Sequence, residues 1–365
     1  MSTETTKAKT ICAALRQELL DGRASMRSLP SERALMRRFA AARETVRRAL
    51  DALEAEGLVV RQIGKGTFPS KRARQMPGRI GLIVLSYAEI FAPICAEIGR
   101  LCRARGLELL FGDVSALDYT ARAEQARRFA RDFVAQRVSG VILQPIGFMG
   151  NAAALNAEMR DLFAAANVPV VLLDSGWQDG LGAADVVGVD NFRCGQALAE
   201  HLLERGARRC LFLTRPYAPP SNQLRYEGVR SRMDCNILQM EPDNAAALRK
   251  ALKRYRPDAL ACGYDAYAAQ VLKTLGGLGV SVPNDILLTG FDDVRYATLV
   301  SPALTTVRQP CADIASAAFE ALLARTAAPD RPPRSVLLYA PIITRESTLK
   351  GRSSPNYLTK SRQIT

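Results

Sequence analysis

One histidine, His201, and one tryptophan, Trp177, in 365 residues leave little room for chemistry that needs either. A structural zinc site wants several cysteines and histidines at set spacings. The eight cysteines (Cys12, Cys95, Cys102, Cys194, Cys210, Cys235, Cys262, Cys311) stand apart in apolar contexts without a CxxC pair, so no metal is expected. Scattered thiols in a chain of this size predict reduced, mostly buried cysteines and a cytoplasmic setting. No GxSxG elbow, P-loop or Ser/His/Asp set is present. His201 shares a helical register with Leu198 and Leu202 and reads as structural. Neither a catalytic role nor a cofactor is therefore expected. Apolar runs long enough to span a bilayer are missing, and the opening MSTETTKAKT is polar rather than signal-like. No membrane partner is expected.

Acidic residues are also in short supply, with 36 Asp and Glu against 50 Lys and Arg and a net charge of +14. The surplus is uneven. Residues 1–78 hold 16 Lys and Arg against 8 Asp and Glu, and a concentrated positive field favours a polyanion with salt-dependent affinity.

Within that basic region, residues 29–69 read LPSERALMRRFAAARETVRRALDALEAEGLVVRQIGKGTFP. Ser31 can cap a helix whose inner face holds Leu35 and Phe39. AAAR at 40–43 is a turn. From Arg43 the apolar pattern resumes at Val46, Ala49, Leu50 and Leu53, and Gly57 closes the helix. Leu58-Val59-Val60 is a strand, and Ile63–Thr67 a hairpin tip. A helix over 5–21 precedes it, with DGRASMRS as the connecting loop. Taken alone, RxxxRR on a helix reads more readily as a solvated basic hairpin than as a reader of DNA. The LPSER start, the RETVRRAL helix, EGLV and GKGTF together resemble the winged-helix head of the GntR family of bacterial transcription factors. That resemblance implies double-stranded operator DNA as partner and a contact set of Arg33, Arg43, Glu44, Thr45, Arg47, Lys65 and Gly66. In it Arg33 and Arg43 reach guanines or phosphates, Thr45 and Arg47 hold backbone, and Lys65 and Gly66 bring the wing to the minor groove. The chain departs from the pattern at Ala40, where glycine is usual, and at Ala42, where serine or threonine usually caps.

Residues 70–78, SKRARQMPG, read as a basic linker. From Arg79 the texture becomes alternating strand and helix. Strands are expected at 80–85, 107–111, 141–143 and 169–174, and helices at 91–105, 121–137 and 151–166. A second series starts near Asp190, with helices at 191–205, 225–233 and 265–276, strands at 210–214, 259–262 and 286–289, and an irregular run over 299–310. Such alternation predicts doubly wound parallel sheets with ligand chemistry at the carboxyl ends of the strands. Two halves facing one another form a cleft.

Val189-Asp190-Asn191, Gly195, Ala199-Glu200-His201-Leu202, RYEG at 225–228, VPNDI at 282–286, GFDD at 290–293, PALTTV at 302–307 and REST at 345–348 occur in the order found in LacI/GalR-type effector domains, which residues 79–349 resemble. The fold class expected is α/β: a winged helix-turn-helix over 1–69, then a two-lobed periplasmic-binding-protein-like domain. Lobe 1 takes about 79–189 and 305–325, and lobe 2 about 190–304 and 335–347. Residues 350–365 form a tail. By the same resemblance Asp174, Arg225 and Asp292 face the cleft. Two carboxylates and a guanidinium suit a polyhydroxylated ligand. Phe91 and Trp177 would offer flat apolar faces, Gln309 would enter from a crossover strand, and Tyr264, where relatives carry asparagine before Asp265, would stack on the ligand or fill space. Read without the family, Asp292-Asp293 is a turn cap, Arg225 a surface helix residue, Phe91 plain core and Trp177 a loop aromatic.

The expected function is a ligand-responsive repressor acting as a homodimer, with a carbohydrate effector. Helices 91–105 and 191–205 are implied as part of the dimer surface. The alternatives are a purine-like corepressor or a degenerate cleft, and more remotely an enzyme domain on a DNA-binding head.

Overall fold

The computed structural model describes residues 3–20, 28–62, 65–70, 78–85, 89–116, 118–177 and 184–349. Most of the expected linker, the tail 350–365 and residues 21–27 of the first loop lie outside them.

The head comprises α1 (Thr3–Leu20), α2 (Glu32–Phe39), α3 (Arg43–Ala55), β1 (Val59–Gln62) and β2 (Gly66–Pro69). Ile11, Leu15, Leu35, Val46, Leu50 and Leu53 make a closed core at the helical spacings read from the sequence. Strands β1 and β2 pair antiparallel, Gln62 opposite Gly66. Ser31 Oγ accepts from Ala34 N at 3.3 Å, capping α2. Ala40 sits at φ 45°, ψ 49°, a left-handed conformation that suits glycine better than alanine. Ala42 is the N-cap of α3 and makes no side-chain cap bond. Ala42→Ser is expected to stabilise the head by about 1 kcal/mol, read as a higher midpoint in urea unfolding.

The second domain opens with β3 (Arg79–Val84), α4 (Phe91–Ala104), β4 (Glu108–Asp113), α5 (Tyr119–Ala135), β5 (Gly140–Leu143), α6 (Ala152–Ala165), β6 (Val170–Leu173) and β7 (Asp185–Val189). It continues with α7 (Asn191–Glu204), β8 (Arg209–Thr214), α8 (Pro220–Arg230), β9 (Asp234–Gln239), α9 (Ala245–Tyr255), β10 (Ala259–Cys262), α10 (Asp265–Gly277), β11 (Leu287–Thr289) and α11 (Tyr296–Leu299). It closes with β12 (Thr306–Val307), α12 (Cys311–Ala327), β13 (Ser335–Leu338), β14 (Ile342–Ile343) and a 3-10 turn at Glu346–Thr348.

Lobe 1 is a parallel six-stranded sheet in the order β13-β7-β6-β5-β3-β4. Helices α4 and α12 cover one face and α5 and α6 the other. Lobe 2 is a parallel four-stranded sheet, β11-β10-β8-β9, covered by α7 and α8 on one side and α9 and α10 on the other. The continuous apolar strands VIL and ALAC are buried on both faces, as parallel sheets require. The chain crosses between lobes after β7, between β11 and α12, and between β13 and the 3-10 turn. β12 and β14 pair antiparallel across these crossovers, Thr306 with Ile343 and Val307 with Ile342.

Two expectations are corrected. Residues 335–338 belong to lobe 1 and not lobe 2, because β13 pairs with β7 (Val336 opposite Val187); only the end of the chain, whose Ser347 Oγ donates to Leu288 O at 2.6 Å, returns to lobe 2. The helix read as 225–233 starts at Pro220, where a proline with preset φ and no needed N–H suits the first turn. Strands β7 and β9 and helix α9 fall in stretches assigned no element from the sequence.

Helices α7 and α8 cross at two glycines. A Cβ on Gly195 would stand 2.2 Å from Arg225 O, and one on Gly228 would stand 2.1 Å from Phe192 O. Both obstacles are backbone. Gly228→Ala is therefore expected to push α8 off α7 and cost about 3 kcal/mol, measured by denaturant unfolding. The head rests on lobe 1, where Glu56 takes Arg16 at 2.6 Å from its own domain and Arg137 at 3.5 Å from the second domain.

Candidate functional site

The residues expected to meet DNA lie on α2, α3 and the wing. Arg43 and Arg47 project outward with side chains 71% and 54% exposed, and both lean on Glu32, at 3.0 and 3.9 Å. Arg33, Lys65 and Gly66 are exposed as well, and Gly66 has φ 112°. Glu44 is exposed and pairs with Arg48 at 3.5 Å. Thr45 departs from its implied role. It is buried at 4% exposure, because it falls beside Val46 on the inner side of α3 and not with the arginines. Arg61 stiffens the wing against α3 through Arg47 O at 3.1 Å and Asp51 at 2.8 Å.

Between the lobes lies a cavity of about 580 Å³. Phe91, Asp174, Arg225, Tyr264, Asp292 and Gln309 all line it. Trp177 does not; it packs against the cluster on the α5–α6 side of lobe 1. The aromatic expected there from Trp177 is supplied instead by Phe148, Tyr217 and Tyr264.

Arg225 is the central donor. It is 5% exposed and held on every side: Nε donates to Asn191 Oδ1 at 2.7 Å, Nη1 to Gly263 O at 2.6 Å and, more weakly, to Asn222 Oδ1 at 3.4 Å. Its guanidinium stacks 3.5 Å from the Phe291 ring centroid. Nη2 is left facing Asp174 Oδ1 at 3.8 Å, too far for a hydrogen bond.

Both carboxylates stand at strand ends in left-handed backbone, Asp174 at φ 70° and Asp292 at φ 107°. Such conformations persist where the surroundings hold them. Asp174 N donates to Val187 O at 2.9 Å and Asp292 N to Val307 O at 2.9 Å. Asp292 Oδ1 accepts from Gln309 Nε2 at 2.7 Å. Burial, with the charge of Asp174 adding to it, pushes the Asp292 carboxyl up to about 6, against the pull of Arg225 and Gln309. A ligand that needs Asp292 ionised should then bind more weakly below pH 6, by up to about tenfold per pH unit, as titration calorimetry between pH 5 and 8 would report.

Beneath the floor, the fully buried Asp265 accepts from Thr306 Oγ1 at 2.7 Å and from Val294 N at 3.0 Å. Burial, with Asp292 next, pushes it up to about 8. It requires glycine at 290, where a Cβ would stand 2.0 Å from its Oδ1. His201 is buried, with Nε2 2.9 Å from Thr348 Oγ1, and burial lowers its pKa.

Sequence reasoning passed over several cavity residues. Asn222 lies one helical turn before Arg225, so the same helix face was the available signal. Gln144, Arg215, Tyr217 and Glu241 carry no local motif, and only the sheet order brings them together. The lobes also meet at the mouth: Phe148 N donates to Tyr217 O at 2.7 Å, and Arg295 reaches Glu89 at 2.6 Å. Among the described residues no group of acidic, cysteine and histidine side chains could hold a metal, and no helix is long and apolar enough to cross a membrane.

Comparison with known proteins matches both parts. The model for bacterial regulatory proteins of the gntR family covers residues 7–68, and that for a periplasmic binding protein-like domain covers residues 199–348. The HTH-type transcriptional repressor PurR of Escherichia coli O1:K1 / APEC is 27% identical over 286 residues, 74% of this chain and 80% of that protein. The transcription regulator GntR from Chromobacterium violaceum aligns with a TM-score of 0.57 at 25% identity, covering 74% of this chain and 99% of that one. A LacI family transcriptional regulator from Enterococcus faecalis V583 with bound ribose aligns at 0.61 and 21% identity, covering 74% of this chain and 100% of that one.

Proposed function

We propose that this chain, a gntR-type DNA-binding domain joined to a periplasmic-binding-protein-like domain, is a transcriptional repressor whose grip on operator DNA is set by a carbohydrate held between its lobes. The observation that carries the reading is the convergence of Asp174, Arg225 and Asp292 on one inter-lobe cavity. A hydroxyl both donates and accepts, so a fixed guanidinium between two carboxylates matches neighbouring hydroxyls on a ring. Phe91, 6% exposed beside them, supplies an apolar face. The bound ribose of the Enterococcus faecalis regulator lends support at the level of fold.

The ligand can act on DNA only through a difference in affinity for two arrangements of the lobes. Contacts across the mouth, Glu89 with Arg295 and Phe148 with Tyr217, exist only when the lobes are together. The Glu56–Arg137 contact gives lobe 1 a direct hold on the head. The protein acts as a homodimer in a cytoplasmic setting, with two heads on a near-palindromic operator. The outer face of α4, with Ala92, Pro93 and Ala96 exposed, and that of α7, with Phe192 and Arg193, suit close subunit packing.

Gel shifts with the gene's upstream region, with and without extracted cell metabolites, test the reading. A retarded band released by a carbohydrate fraction is expected. A chain that stays monomeric at micromolar concentration with that DNA present would sink the two-headed mechanism.

A further inference from the structure

The cavity is larger than one sugar ring needs, and its chemistry is divided along its length. In lobe 2 the strand order β11-β10-β8-β9 sets the sequence of groups along the cleft. Asp292 follows β11, Tyr264 follows β10, Arg215 and Tyr217 follow β8, and Glu241 follows β9. All five line the same cavity. Neighbouring strands lie about 4.8 Å apart, so the carboxylates of Asp292 and Glu241 belong to strand ends about 14 Å apart. Two pyranose rings in line, with a hydrogen bond at each end, fit that span.

Three polar atoms of the cavity wall are buried and make no hydrogen bond: Asp174 Oδ1, Glu89 Oε2 and Arg215 Nε. Buried polar atoms without partners are costly. Asp174 Oδ1 belongs to the floor already described. Arg215 Nε belongs to the opposite end, where its nearest acceptor is Glu241 at 3.5 Å. That second end also carries aromatic walls. Phe148 and Tyr264 meet edge to face at 5.7 Å, and Tyr217 packs over Gly150.

We infer that the effector is a disaccharide. One ring is held by Asp174, Arg225 and Asp292, and the other lies against Tyr217, Tyr264 and Phe148 with its hydroxyls on Arg215 and Glu241. This rests on the carbohydrate reading of the cleft and extends it to the length of the ligand. A guanidinium beside a carboxylate presents donor and acceptor together, which matches adjacent hydroxyls of a second sugar. The aromatic side chains cover the apolar faces of the same ring.

The full chain is screened by thermal shift against an array of mono-, di- and trisaccharides and nucleosides, and every hit is titrated by calorimetry on the parent, Arg215→Ala and Glu241→Gln proteins. A disaccharide that binds about thirtyfold or more tighter than either component sugar is expected, with that preference falling about tenfold in both variants, which corresponds to about 1.4 kcal/mol. A monosaccharide binding as tightly as any disaccharide, or a preference unchanged in both variants, would overturn the two-ring assignment and leave the carbohydrate reading standing. Binding of a nucleoside alone, or of no member, would overturn both.

Discussion

Arg225→Ala is expected to lose at least about 100-fold in effector affinity while operator binding, measured by gel shift, persists and no longer responds to ligand. The size follows from what the side chain does. Its Nε and Nη1 hold Asn191 and Gly263 at 2.7 and 2.6 Å, so Nη2 is aimed at the cavity without a further loss of side-chain freedom on binding. Truncating a buried, hydrogen-bonded charge typically costs 2–5 kcal/mol or more in binding, much of it from the partners left behind. Here those partners are Asp174 and Asp292. Without the guanidinium, which lowers the Asp292 pKa, that carboxyl is pushed further up and is less able to serve as an ionised acceptor near neutral pH. Folding also suffers, because Asn191 Oδ1 and Gly263 O lose a buried donor and two half-buried carboxylates lose a nearby positive charge. Arg225→Lys separates the two effects: it retains a positive charge but lacks the planar fork. A folded Arg225→Lys protein that still releases DNA normally on ligand addition would refute the assignment of the floor.

Arg43→Ala should have the reciprocal outcome, with operator affinity falling by about ten- to a hundredfold, or 1–3 kcal/mol, and effector titrations unchanged. The side chain opens α3, is 71% exposed, and among the described residues pairs with Glu32, so its removal leaves the head's core intact. The salt dependence tells which contact is lost. If Arg43 neutralises a phosphate, the slope of log affinity against log salt falls by about one. If it reads a guanine, specificity at one base pair relaxes instead. Normal operator affinity in Arg43→Ala would remove α3 from the recognition surface. Thr45→Ala is the useful contrast, since a side chain 4% exposed is expected to alter head stability more than DNA affinity.

The head was legible almost entirely from the sequence, because its information is local. Leu35, Val46, Leu50 and Leu53 mark the buried faces of consecutive helices, and all four are fully or almost fully buried. Thr45 was misplaced for a related reason: one residue along a helix is a rotation of about 100°, and a family pattern says which residue is present but not which way a neighbouring core turns it. Trp177 was misplaced because only tertiary packing decides whether an aromatic just past a strand turns into the crevice or folds back over its own lobe. It folds back, onto the cluster between the sheet and helices α5 and α6 of its own lobe.

What the sequence by itself determined is the division into a basic winged-helix head and a two-lobed α/β domain; Asp174, Arg225, Asp292 and Gln309 were implied only by resemblance to LacI/GalR-type effector domains, and all four line the inter-lobe cavity. Apolar periodicity, charge clustering and short motifs are properties of neighbouring residues, and each survives without knowledge of the fold. The tertiary structure alone decided that β13 joins the first sheet at Val187, that Gly195 and Gly228 hold α8 where Arg225 can point inward, and that Arg215 and Glu241 form a far end to the cleft. These depend on which strand lies beside which across as many as 150 residues. Pairing of that kind is settled by burial of whole sheet faces, a sum over the entire chain that no local pattern contains.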